Sequence, residues 1–181
     1  MPYAFPQVVQ LSLRPLLTSL MPLFLWSCTQ VAPKPVAMSD EQACSVLKQV
    51  QSQASNGFKA LRGSAVNDYS FTGWDAKPIV PGTDCDIVQW GPGRTNYACT
   101  WAKGDEPTAR ADYESGIRLV RNCLGSGWNS SNPDGQTGKA TLFSKPGEPG
   151  PVEVRYYKER EPSRNWQTSL TIGPPVTRDA R

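Results

Sequence analysis

The chain has 181 residues, with 19 Lys+Arg against 16 Asp+Glu, no histidine and a formal net charge of +3. Without histidine, histidine-based triads and histidine metal sites are excluded. The near-balanced, scattered charge leaves no electrostatic footprint for nucleic acid.

Residues 1–27 contain no acidic residue and one basic residue, Arg14. The apolar run that follows ends at Trp26 and has the make-up of a secretory leader. It is shorter than the roughly 20 apolar residues a membrane-spanning helix needs, and Pro22 interrupts it.

The run closes on Leu25-Trp26-Ser27-Cys28. This resembles the lipobox of bacterial lipoproteins, in which a leucine, a variable residue and a small residue precede a cysteine that becomes lipidated. The resemblance implies cleavage before Cys28, acylation of its thiol and new amine, and stable membrane anchoring through several acyl chains. Thr29, standing where an inner-membrane lipoprotein often has Asp, implies an outer-membrane protein facing the periplasm. An ordinary cleaved leader would instead give a soluble periplasmic or secreted protein. A plain apolar N-terminal helix is the third reading.

Five cysteines are an odd set, which in an exported protein calls for an explanation. With Cys28 lipidated, Cys44, Cys85, Cys99 and Cys123 remain for two disulfides in an oxidising compartment. A metal site is disfavoured, because there is no CxxC pair.

Residues 29–38 hold two prolines and no amphipathic period. They read as an extended tether of at most ~35 Å. Ser39-Asp40-Glu41-Gln42 has capping-box form. Ala43, Val46, Leu47, Val50 and Ala54 then recur at helical spacing, and Asn56-Gly57 closes the helix. Cys44 lies at the edge of the apolar stripe.

Residues 58–67 read as a connector and 69–74 as an aromatic-rich strand. Residues 75–84, with Pro78, Pro81 and Gly82, read as a loop. Residues 85–90 and 95–101 form a hairpin around Pro92. Its register sets Cys85 opposite Cys99, Ile87 opposite Tyr97 and Gln89 opposite Thr95. Of the three possible connectivities this register favours a cross-strand Cys85–Cys99 disulfide, with Cys44–Cys123 then joining two helices.

The second helix starts at Asp105-Glu106-Pro107, where helix starts favour acids and proline. Ala109, Tyr113, Ile117, Val120 and Leu124 form its apolar face. Arg118 and Arg121 fall one turn apart on its polar side, as a solvated face or as a contact for an acidic partner. Residues 125–138 read as a polar loop. Asn132 and Asp134 there fall short of a calcium loop in spacing and ligand count. Three strands follow at 139–144, 152–157 and 166–172, with clean alternation that marks one buried and one wet face.

The expected fold is α+β, in α-β-β-β-α-β-β-β order, with an antiparallel sheet and two helices packed on one face. The expected division is a leader at 1–27, a lipidated tether at 28–38, one domain at 39–175 and a tail at 176–181. Ser45-Val46-Leu47-Lys48 matches an S-x-x-K motif only formally, as its companion motifs are absent. No cofactor motif is present. Two acidic pairs, Asp84 with Asp86 and Asp105 with Glu106, are the remaining catalytic candidates. They support an alternative reading as a carboxylate-dependent hydrolase of envelope glycan. The leading expectation is a non-enzymatic, lipid-anchored domain that binds an envelope protein partner or inhibits a delivered toxin, as an immunity protein does. Arg155, Tyr157 and Gln167 would form its polar-aromatic contact patch if their strands are neighbours.

Overall fold

In the computed structural model, which describes residues 38–174 except 69–70, 81–82, 134–137 and 161, the first element is α1 (Asp40–Ser52). Its start is the capping box: Gln42 N donates to Ser39 Oγ, and Ser39 N donates to Gln42 Oε1. Ala43, Leu47 and Val50 form its buried stripe. The lipobox-like segment with Cys28, residues 29–37 of the tether and the tail from 175 lie outside the described residues.

After α1 come two 3-10 turns, Ala54–Asn56 and Lys59–Leu61. Between them Phe58 takes a left-handed conformation (φ 58°) that costs a non-glycine residue about 1 kcal/mol or more. Its ring is fully buried against Tyr97, with centroids 5.8 Å apart. Burying a phenylalanine is worth about 1.5–3 kcal/mol, which offsets the backbone cost.

The strands are β1 (Ala65–Asp68), β2 (Phe71–Ala76), β3 (Thr83–Gly91) and β4 (Arg94–Trp101), then β5 (Asn129–Ser131), β6 (Lys139–Ser144), β7 (Val152–Lys158) and β8 (Trp166–Ile172). A second helix, α2 (Glu106–Leu124), separates the two sets. The fold is α+β in the expected helix-strands-helix-strands order, with a short edge strand added to each set. The connector at 58–67 ends in β1, and the polar loop at 125–138 contains β5. Both earn their strand hydrogen bonds from a neighbour, β2 or β6, and not from an apolar pattern of their own. The loop expected at 75–84 is shorter, because β2 runs to Ala76 and β3 starts at Thr83.

All eight strands form one antiparallel sheet in the order β1-β2-β3-β4-β8-β7-β6-β5. The chain meanders from one edge to β4, and α2 then carries it to the far edge at β5. From there it meanders back until β8 closes the seam against β4, with Leu170 opposite Cys99 and Thr171 opposite Ala98. A 19-residue helix is about 28 Å long, enough to cross four strands at about 4.8 Å each.

The β3–β4 hairpin has the expected register, Cys85 opposite Cys99, Ile87 opposite Tyr97 and Gln89 opposite Thr95. Both expected disulfides are present, Cys85–Cys99 across the hairpin and Cys44–Cys123 between the helices. α2 packs on β7 and β8, and α1 packs beside α2. Their apolar faces meet Ile87, Tyr97, Cys99, Val152, Val154, Leu170 and Ile172 in one core. Gly116 lets α2 approach closely, since a Cβ there would lie 3.0 Å from Val154 Cγ1. The core is tied by buried polar contacts: Thr168 Oγ1 donates to the Ala109 carbonyl at 2.6 Å, and Tyr113 hydroxyl meets Thr141 Oγ1 at 2.8 Å. Among the described residues, no helix is long and apolar enough to cross a membrane.

Candidate functional site

Alternation along the strands fixes what the second face of the sheet displays. On β7 and β8, Val152, Val154 and Tyr156 point to the helices with Thr168, Leu170 and Ile172. Glu153, Arg155, Tyr157, Gln167, Ser169 and Thr171 therefore point the other way. On β3 and β4 the same parity turns Asp84, Asp86 and Val88 outward with Ala98 and Thr100. Both described helices lie on the opposite face.

This open face has a centre of small side chains. Thr100, Ser169 and Arg155 lie in one cross-strand row, and Ala98, Thr171 and Glu153 in the next. Most of these residues are half-buried, not fully exposed. β7 and β8 are neighbours, so the condition for the polar-aromatic patch is met. Tyr157 sits opposite Gln167 and donates its hydroxyl to Gln167 Oε1 at 3.0 Å. Gln167 Nε2 in turn donates to the Trp101 carbonyl at 3.3 Å. Arg155 Nε lies 3.0 Å from Glu153 Oε1, and the two side chains keep about a fifth of their surface exposed. Tyr157 and Gln167 are thus held in place by their own hydrogen bonds before any partner arrives, which lowers the ordering cost of binding.

The five residues singled out for partner contact do not form one surface. Arg155, Tyr157 and Gln167 share the open face. Arg118 and Arg121 are exposed on α2, on the other side of the sheet. Arg121 stands in the last turn of α2, where a cation is favoured by the helix dipole.

The acidic pairs separate in the same way. Asp105 is the N-cap of α2: its carboxylate accepts from Thr108 N at 2.9 Å, and hydrogen bonding with the Thr108 side chain, then with its backbone N–H, holds its pKa below the usual value. Glu106 pairs with Arg110 one turn on. Both have structural duties on the helix side. Asp84 and Asp86 lie on the open face, and Asp75 stands directly opposite Asp86 on β2. Burial first, then the charges of Asp75 and Asp84, push the Asp86 carboxyl above its ordinary value. Asp75 completes a group of three that the sequence did not reveal, because its membership depends on the β2–β3 register.

Comparison with protein-family models, with curated proteins and with solved structures finds no match to this chain. The functional reading therefore rests on the residues themselves.

Other sequence signals gain no site. Ser45 and Lys48 are both exposed on the surface of α1. Asn132 accepts a hydrogen bond from Thr141 Oγ1 at 3.0 Å, and Asp134 lies outside the described residues. Among the described residues, no group of His, Cys, Asp and Glu has the arrangement to hold a metal ion.

Proposed function

We propose that this chain is a lipid-anchored envelope protein whose globular domain binds, and thereby inhibits or recruits, a protein partner through the open face of its sheet. Cys28 would carry the lipid, and residues 29–38 would set the domain's reach from an outer membrane facing the periplasm. The observation that carries the binding reading is the sheet face on which no described helix packs. The described helices pack on one side of the sheet, while the other carries half-buried Arg155 and Tyr157, with buried Gln167 holding the Tyr157 hydroxyl, beside small hydroxyl side chains. Tyrosine and arginine on a pre-ordered surface are the residue types that dominate binding energy in protein interfaces. Two disulfides suit an oxidising compartment.

The test is paired substitution with a quantitative readout. Arg155→Ala with Tyr157→Ala should weaken binding of the stoichiometric envelope partner by at least about tenfold, roughly 1.4 kcal/mol or more. Arg121→Ala on the helix side should leave binding unchanged. Equal affinity of the double variant and the parent would contradict the sheet-face reading.

One observation favours a second reading, hydrolysis of envelope glycan. A carboxyl with a raised pKa beside two other carboxylates is the arrangement of a general acid. In that case Asp86→Asn would abolish glycan turnover while leaving the fold intact, and partner binding would be unaffected by it.

A further inference from the structure

On the helix side, residues of α1 and α2 line a groove of about 320 Å3. It is independent of the open face. Trp101 and Val80 line it together with Leu119, and Asp40, Arg118 and Asn122 stand around it. The volume is at the lower end of what small-molecule sites offer.

Three features distinguish this groove from an ordinary gap between helices. The first is Trp101, whose half-buried indole lines the groove beside Gly116 of α2, where a Cβ would lie 3.4 Å from Trp101 Cη2. The second is covalent. Cys44 lines the groove on the α1 side and is bonded to Cys123 on α2, so the spacing of the walls is fixed before anything binds. The third is the charge on the rim. Asp40 on one helix and Arg118 on the other are both exposed, and no ion pair joins them or engages either among the described residues.

We propose that the groove is a saccharide-binding site. A sugar ring has an apolar C–H face that stacks on an indole and a rim of hydroxyls that both donate and accept. An acceptor-only carboxylate (Asp40), a donor-only guanidinium (Arg118) and an amide that does both (Asn122) supply the complementary set. Other ligand classes fit the groove less well. An acyl chain would lie beside an exposed carboxylate and guanidinium and make no hydrogen bond with either. A phosphate would be drawn to Arg118 and repelled by Asp40.

The experiment titrates the full-length chain with three tetrasaccharides, of glucose, of N-acetylglucosamine and of a uronic acid, and follows the Trp101 indole and Gly116 amide signals by NMR. At least one tetrasaccharide should shift both signals, with a dissociation constant in the millimolar range or tighter, about −4 kcal/mol or stronger. Asp40→Asn and Arg118→Ala, both surface changes, should each weaken that binding by at least about tenfold, and leave the disulfides and thermal unfolding unchanged. Failure of all three probes to move the Trp101 and Gly116 signals at about 10 mM would overturn the proposal. So would binding that persists at full strength in both variants.

Discussion

Asp86 shows how a single residue can work against its own fold. Its carboxylate faces Asp75 across the strands and Asp84 along its own strand, on the face without helices. The folded state holds the Asp86 proton more tightly than the unfolded chain does. Stability therefore falls as pH rises from the unfolded value of 3.8 through the raised folded value, and the loss is complete above it. Asp86→Asn should be more stable than the parent at pH 7 by about 0.5 kcal/mol, the scale of a like-charge pair directly across two strands. Near about pH 3 the two should be equal, because both side chains are then neutral. Urea midpoints at the two pH values measure this, and a variant less stable at pH 7 would mean that Asp86 has a favourable partner. Glu159 has the opposite sign. Hydrogen bonds from Lys103 and Ser163 lower its pKa, so its contribution is present above 4.5 and fades as pH falls through the lowered value.

At the scale of elements, the disulfide Cys44–Cys123 is a covalent tie between α1 and α2 that adds to the packing of Leu47 and Val50 in the core. It closes a separation of 79 residues and joins the second turn of α1 to the last turn of α2. Replacing both cysteines by alanine should lower the unfolding free energy by roughly 2–5 kcal/mol in denaturant titrations. An unchanged midpoint would show that helix packing alone positions α1. Elements with a strong local signal were legible in the sequence. Ser39 and Gln42 announced α1, and Asp105 with Pro107 announced α2. The alternation of Cys85, Ile87, Tyr97 and Cys99 fixed the β3–β4 register, and with it one disulfide. The edge strands were not legible. β1 has an exposed Val66, and β5 is three exposed polar residues, so each exists only because a neighbouring strand offers backbone groups to pair.

At the scale of the molecule, the decisive contact is the least local one. The β4–β8 seam joins residues about seventy positions apart, and no periodicity announces that Leu170 will face Cys99. Part of the candidate surface could still be read, because Tyr157 and Gln167 lie on consecutive strands. The acidic trio needed the β2–β3 register, and the groove needed Val80, Trp101 and Arg118 from three distant segments. The topology also explains why both described helices share one face: α2 must cross from β4 to β5 over one side of the sheet, and the disulfide holds α1 on that same side. The proposed contact of the opposite face with an envelope partner rests on export and anchoring at Cys28. Intact-mass measurement of the protein from its native host tests this most directly. The account predicts a chain that begins at Cys28, carries the added mass of acyl groups and has no free thiol. A chain that retains residues 1–27 without added acyl mass would contradict it.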